Sequence, residues 1–590
     1  MEKLPLHCVS EYVAMTDGVR LAVTAWLPVE VSYKSQNFPV VLITTRYWRA
    51  IDSCQQTPSS QPYYPLAVDL ARRGYVLVVA DARGTGASFG TRSAETDHNE
   101  VVDIGEIVEW VAQNFWCDGH VVTSGCSYSA ITTLYSLVSA PPALKLGFCR
   151  SPDFDMYRHL FAPGGIVNRW FVKIWGAVTA AQDANDGTAL FANGYWPVPT
   201  EGKENDFGVL PVDCDQDGSQ LEAAVREHRQ NFNIADNVEA FDFIDGFLTK
   251  NNPPLFSPSN QQAIEASGIP LVIRCGWHDA GTALGALAMY VSFKANIRVI
   301  LGPCNHEGTY LVDPFLLGDG TIAKRPPQGE AFKRLVATVD SVVKDNKPTL
   351  PAVEYFTLGE NRWKTSEQWP LPHTQMQRWY LAGNHQLTQL QAASEYGNDV
   401  YQVDSTATTG RFNRWFAQSP DQPVLFLDRQ TEDKKLLIYD TRPLERDTEI
   451  TGHPVIHLYL SSSATDGQFF VYLETIDPDG RVRLLTEGQL RGLHRKISRG
   501  TRPYKMFGPY HSFKEQDAML LDPNEVTEIT FDLLPISVLL QKGQRIRVAI
   551  AGADADTFDP IIGCETPTLT LERNFDYSSY IDLPIINISI

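Results

Sequence analysis

Residues 125–130 read Gly125-Cys126-Ser127-Tyr128-Ser129-Ala130. The apolar run before them, His120-Val121-Val122-Thr123-Ser124, reads as a short buried strand. The run after them, Ile131-Thr132-Thr133-Leu134-Tyr135-Ser136-Leu137-Val138, reads as a helix. A serine on a sharp strand-to-helix turn is a nucleophile elbow: the turn pushes the hydroxyl outward and leaves the next backbone N–H free for an oxyanion. Here these are Ser127 and the amide of Tyr128. Strand and helix approach closely at such a turn, so small residues are required, and Gly125 meets that need. The second small position, usually glycine, is Ser129. A lone Gly-x-Ser marks many ordinary turns; the strand and helix around it carry the reading.

The expected partners follow in the order serine, acid, histidine. Pro270-Leu271-Val272-Ile273-Arg274-Cys275 reads as a strand and runs into Gly276-Trp277-His278-Asp279. Ile297-Arg298-Val299-Ile300-Leu301 reads as the next strand and ends in Gly302-Pro303-Cys304-Asn305-His306. An acid and a histidine just past parallel strands converge where open α/β sheets bind ligands. A serine hydroxyl becomes a nucleophile when a histidine takes its proton, and a buried carboxylate orients that histidine. Asp279 as a helix N-cap and His306 as a surface-loop residue are the plainer alternatives. His278 is a second candidate base, better suited by its place to the wall of the site.

A further group lies upstream. Val40-Val41-Leu42-Ile43-Thr44 reads as a strand, followed by Thr45-Arg46-Tyr47-Trp48. The second oxyanion donor of this architecture comes from a loop after an early strand, and the Tyr47 hydroxyl is the candidate. After the strand Tyr75–Ala80 comes Asp81-Ala82-Arg83-Gly84-Thr85-Gly86-Ala87-Ser88. Its glycine spacing suggests a dinucleotide loop, but the third glycine of that fingerprint is replaced by Phe89. A buried Asp–Arg turn is the better reading.

With these motifs the chain resembles the Xaa-Pro dipeptidyl-peptidase superfamily, in its cocaine esterase and α-amino acid ester hydrolase branch. Further signs are Met15–Ala22, Tyr157, Pro163-Gly164-Gly165, Leu358–Lys364 and Asp466–Val471. The resemblance implies an α/β-hydrolase domain with an inserted helical cap and a C-terminal all-β jelly-roll sandwich. It implies Ser127 as nucleophile, Asp279 as acid, His306 as base, and Tyr47 with the Tyr128 amide as oxyanion hole. Two departures stand out. The family's Tyr-Asp at the acid is His278-Asp279, and the elbow glycine three residues after the nucleophile is Ala130. Relatives that require a free α-amino group hold it with carboxylates, some just after the catalytic acid. Those positions are Ala280, Gly281 and Thr282. Selection for a charged α-amine is therefore not expected, with Asp153 and Asp155 the residues able to replace the missing cluster. Trp48, Trp170, Trp175, Trp277 and His278 are the expected substrate-binding residues, for an apolar or aromatic acyl group.

Composition fits a large enzyme. The chain has 590 residues, 43% of them hydrophobic, enough for sizeable cores. A formal charge of -20 argues against nucleic acid and anionic membranes as partners. Nine scattered cysteines without a Cys-x-x-Cys pair argue against a zinc site and for reduced thiols, hence a cytoplasmic protein. No signal peptide is read in the first residues, and no run of 18 apolar residues exists. No metal or cofactor is expected; the partner is a small-molecule substrate, and a homo-oligomer stays open.

Pattern changes divide the chain. Residues 1–150 alternate strands and helices and hold the nucleophile. Residues 151–261 read as a helical cap with a loop over 193–219. Residues 262–347 return to α/β and hold the acid and base. Lys344-Asp345-Asn346-Lys347-Pro348 reads as a linker, and residues 348–590 as the jelly roll, with Asp477-Pro478-Asp479-Gly480 a turn between strands. The expected function is a serine hydrolase cleaving an ester or amide through an acyl-enzyme. An acyltransferase or dipeptidyl-peptidase-like enzyme on the same triad, and a non-catalytic binding protein on this scaffold, are the alternatives.

Overall fold

The computed structural model describes residues 6–28, 37–52, 61–193, 207–250, 254–316, 330–345, 347, 351–418, 423–561 and 566–586. Ten strands make the first sheet: β1 (Leu6–Ala14), β2 (Arg20–Pro28), β3 (Phe38–Thr45), β4 (Val76–Asp81), β5 (Cys117–Cys126), β6 (Leu144–Arg150), β7 (Leu271–Gly276), β8 (Ile297–Gly302), β9 (Ala352–Thr357) and β10 (Arg362–Ser366). Their spatial order is β1-β2-β4-β3-β5-β6-β7-β8-β9-β10. The pairs β1–β2, β2–β4 and β9–β10 are antiparallel. Every pair from β4 to β9 is parallel.

Parallel strands need crossovers, and here helices make them. The helices are α1 (Tyr64–Ala71), α2 (Asn99–Gln113), α3 (Tyr128–Ser139), α4 (Arg169–Asp183), α5 (Gly187–Ala192), α6 (Ser219–His228), α7 (Ile244–Lys250), α8 (Pro258–Ser267), α9 (Thr282–Ser292) and α10 (Glu330–Val339). One face of the sheet packs Val41, Ile43, Leu77 and Val79 against Leu66 and Leu70 of α1 and Leu335 and Val339 of α10. The other packs Val40, Leu42, Val76 and Val78 with Ile104 and Ile107 of α2 and Leu134 of α3. Both faces are covered, so β3 and β4 read as continuous apolar runs instead of alternating ones.

Helices α4 to α7 form the cap between β6 and β7. The expected boundary at 261/262 falls inside α8, which begins with Ser257 capping the Asn260 amide and Pro258 in its first turn. Of the expected loop 193–219, residues 194–206 lie outside the described residues. Gly208–Val209 pairs with Ile51–Asp52 as a two-residue ribbon, where no strand was expected. The expected boundary at 347/348 also does not divide the sheets. Residues Ala352–Tyr355 pair in register with Arg298–Leu301, so β9 and β10 extend the first sheet. Asn346 and Pro348 of the expected linker lie outside the described residues.

The remaining strands, thirteen among the described residues, form the C-terminal β-sandwich. At its centre, all nine residues of Gln468–Ile476 are buried between Val482–Arg491 and Arg545–Ala551. The Asp477–Gly480 turn joins the first two, with Gly480 N–H donating to the Asp477 carbonyl at 2.8 Å. The sandwich docks on the cap through Arg491 Nη1 to Asp242 Oδ1 (3.0 Å) and His494 Nε2 to the Asp242 carbonyl (2.9 Å).

Candidate active site

The carboxyl ends of parallel strands in the first sheet bring the site together. Ser127 follows β5, Asp279 lies three residues past β7, and His306 four past β8. Ser127 sits at φ 59° and ψ -126°, a backbone state rare for a residue with a side chain, held because the strand ends and α3 begins at once. Its amide donates to the Arg150 carbonyl of β6 at 3.0 Å. A Cβ on Gly125 would lie 2.2 Å from the Ser129 carbonyl oxygen, so only glycine permits this crossing. A Cβ on Gly276 would lie 1.9 Å from the Cys304 carbonyl oxygen. That contact presses the loops after β7 and β8 together and joins the acid to the histidine.

His306 Nδ1 lies 2.9 Å and 3.0 Å from the two Asp279 carboxylate oxygens. Both side chains are buried. An acceptor carboxylate places the proton on Nδ1 and leaves Nε2 as a lone-pair base. That Nε2 is buried without a hydrogen-bond partner. The histidine loop reaches the elbow: Cys126 Sγ donates to the His306 carbonyl at 3.5 Å, and Ser151 Oγ donates to it at 3.0 Å. Burial alone would lower the pKa of His306. The Asp279 carboxylate, by charge and hydrogen bond, outweighs this with Glu307 and Asp153 and raises it to about 9.

Tyr47 arrives from the loop after β3. Its hydroxyl accepts the Tyr128 N–H at 3.3 Å and is hydrogen-bonded to the Ser127 side chain. Burial pushes its pKa far above the ordinary tyrosine value, so it remains a proton-bearing donor. The ring is held edge-on by Tyr128 (6.4 Å) and Trp175 (6.1 Å). Trp175 Nε1 in turn donates to Glu95 Oε1 at 2.8 Å, which also accepts from Arg46 Nη1 at 3.2 Å. The Tyr128 hydroxyl donates to Glu100.

The other expected binding residues separate into two groups. Trp175 and Trp170 come from α4, and Trp170 is partly exposed and stacked on Phe416 with centroids 3.6 Å apart. Trp48 and Trp277 are each 1% exposed. Trp277 Nε1 donates to the Phe356 carbonyl of β9 at 2.8 Å, and Trp48 packs on Phe207. His278 Nε2 donates to the Leu485 carbonyl of the C-terminal sandwich at 2.8 Å, and burial drops its pKa to about 3. Trp277 and His278 are thus tied into the packing around the Asp279 loop, and Trp48 is buried after β3. Cys126 is buried, with its thiol pKa pushed well up.

Of the two cap-entry carboxylates, Asp155 accepts from Arg158 Nη1 (2.7 Å) and the Tyr504 hydroxyl (2.8 Å). Asp153 is 5% exposed, its Oδ1 is buried without a partner, and burial raises it to about 7. It lines a cavity with Ile131, Tyr135, Phe154, Phe247 and Phe256. One contact of the site went unanticipated from the sequence: Gln418 Nε2 donates to Asp279 Oδ1 at 2.8 Å. No local pattern signals it, since it lies 139 residues from its partner. Among the described residues no group of three His, Cys, Asp or Glu could hold a metal ion, and no helix is long and apolar enough to cross a membrane.

A serine on a strained elbow, with a carboxylate-held histidine at the same edge of a mostly parallel sheet, defines the serine hydrolases of the α/β-hydrolase fold. Residues 17–308 match the family model for X-Pro dipeptidyl-peptidase (S15 family), and residues 346–580 that for the X-Pro dipeptidyl-peptidase C-terminal non-catalytic domain. The chain is 37% identical to a candidate serine esterase of Mycobacterium bovis, over 98% of this chain and 95% of that one. It is 25% identical to the cocaine esterase of a Rhodococcus species, over 97% of each chain. An aminopeptidase from a marine-sediment Thaumarchaeota archaeon shares the fold, with a TM-score of 0.73 at 20% identity over 100% of this chain and 98% of that one. The chain belongs to the X-Pro dipeptidyl-peptidase S15 family and is a serine hydrolase.

Proposed function

We propose that this hydrolase cleaves a carboxylic ester or amide through an acyl-enzyme on Ser127. The observation that carries the reading is the His306 pair: Nδ1 is held by Asp279, Nε2 is buried and unpartnered, and the His306 carbonyl takes Cys126 Sγ of the Ser127 elbow. His306 Nε2 takes the Ser127 proton as Oγ attacks the carbonyl carbon. The Tyr47 hydroxyl and the Tyr128 N–H donate to the oxygen that gains charge. The imidazolium then protonates the leaving group, and water repeats the sequence to free the acid.

The rings of α4, with Trp175 against Tyr47 and Trp170 partly exposed, favour a small apolar or aromatic acyl group. A charged α-amine finds little countercharge. Asp155 is committed to Arg158, and Asp153 keeps its proton up to about pH 7. An unpaired buried ammonium is costly. Ser127→Ala should fold normally and lose ~10⁴-fold or more in turnover; undiminished hydrolysis by that variant would end the assignment. For the acyl group, kcat/KM is compared for ester pairs that differ only in α-ammonium against α-hydrogen. The expected ratio does not favour the ammonium. A strong ammonium preference abolished by Asp153→Asn would reverse this part of the reading.

A further inference from the structure

The segment Asn413–Gln418 belongs to the C-terminal portion of the chain yet touches both the cap and the acid loop of the site. Its base is tied into the sandwich. Asn413 Nδ2 donates to Thr557 Oγ1 at 2.7 Å, Trp415 Nε1 donates to Glu487 Oε1 at 2.7 Å, and Arg414 Nη2 donates to Thr486 Oγ1 at 3.3 Å. Its outer side meets the cap, where Phe416 stacks on Trp170. Its inner side meets the acid loop twice. The Ala280 N–H donates to the Arg414 carbonyl at 3.1 Å, and Gln418 Nε2 donates to Asp279 Oδ1 at 2.8 Å. Gln418 is itself buried, 5% exposed.

Asp279 must be held in one orientation for its oxygens to receive His306 Nδ1. Within its own loop it has one side-chain donor, Thr282 Oγ1, at 3.1 Å to Oδ2. The other oxygen is held from outside the catalytic sheet. We infer that Gln418 is a positioning residue of this enzyme: its side-chain amide fixes Asp279 Oδ1, so the C-terminal sandwich takes part in building the triad. The inference rests on the triad reading proposed above. It gives a working role to a portion whose family model is described as non-catalytic.

The amide should do two things. It keeps the carboxylate in the orientation that aligns the His306 ring for turnover, and it draws off part of the negative charge on Oδ1, which sets the acidic limb. Without it, Asp279 holds the imidazolium more strongly relative to the neutral imidazole. Removal therefore raises the pH at which His306 becomes a free base. Asp279, Asp153 and Glu307 act on His306, and Arg414 acts electrostatically on Asp279. None of these is changed by a neutral substitution at position 418.

The test is kcat/KM against pH on a neutral aryl ester for the wild type, Gln418→Leu and Gln418→Met, with thermal melting to confirm folding. Methionine keeps the length of the side chain, so it is read in place of leucine if leucine unfolds the segment. The expected result is about a tenfold loss in plateau kcat with little change in KM, and an acidic limb displaced upward by roughly half a pH unit or more. Folded variants whose acidic limb coincides with the wild type would overturn the inference, even if their rate falls. Loss of the triad reading itself has a different signature, undiminished turnover in Ser127→Ala, so the two failures are distinguishable.

Discussion

Tyr47 is the residue whose chemistry depends most on its surroundings. A phenol in water is an ordinary donor; here it lies in a half-buried corner between Tyr128, Trp175 and Ser127. Tyr47→Phe keeps the ring packing and removes only the donor. It should lower kcat by ~10²- to 10³-fold and leave KM nearly unchanged, because the bond strengthens as the oxyanion forms. His306 makes a prediction with a definite sign. As the proposed base it works only when neutral, and its pKa is raised to about 9. Activity should therefore fall as pH drops through a midpoint above the ordinary 6.5. Asp279→Asn removes the charge that raises it and leaves burial in command, so the midpoint should move below 6.5 while the plateau falls ~10⁴-fold. A pH-rate profile of both proteins checks the direction.

At the scale of elements, legibility followed distance along the chain. The elbow was readable because its strand, turn and helix are consecutive, and Gly125 shows the close approach directly. The strand-end positions of Asp279 and His306 were readable because apolar runs stop there. The direction of Trp277 and His278 was not readable, because it depends on which neighbour the β7 loop packs against. That neighbour is β9 for Trp277 and the sandwich strand Val482–Arg491 for His278. β9 and β10 lie in the range expected to be jelly roll yet pair with the first sheet, for the same reason: short strands carry no label for their partner, and register is set by pairing across long separations. His278 offers a test of its role as a tie. Its folded pKa, about 3, lies below 6.5, so it adds stability above pH 6.5 that is progressively lost as pH falls toward 3. The melting-temperature advantage of the wild type over His278→Gln should shrink across that window; a constant gap would show that His278 does not titrate as a buried neutral group.

At the scale of the whole molecule, sheet, cap and sandwich meet at one place. Trp170 of α4 stacks on Phe416, whose neighbour Gln418 holds Asp279. A double-mutant cycle of Trp170→Ala and Phe416→Ala, read by chemical unfolding, should give a coupling of about 0.5–1.5 kcal/mol, the range for aromatic pairs. Strict additivity would mean that the two parts are not coupled through this stack.

The proposed mechanism stands or falls with Ser127 as the activated nucleophile. Its most direct test is labelling with a fluorophosphonate, followed by peptide mass spectrometry on the wild type, Ser127→Ala and His306→Ala. One label per chain is expected on the peptide carrying Ser127, none in Ser127→Ala, and labelling slowed by orders of magnitude in His306→Ala. A label on another residue, or labelling of Ser127→Ala at the wild-type rate, would contradict it.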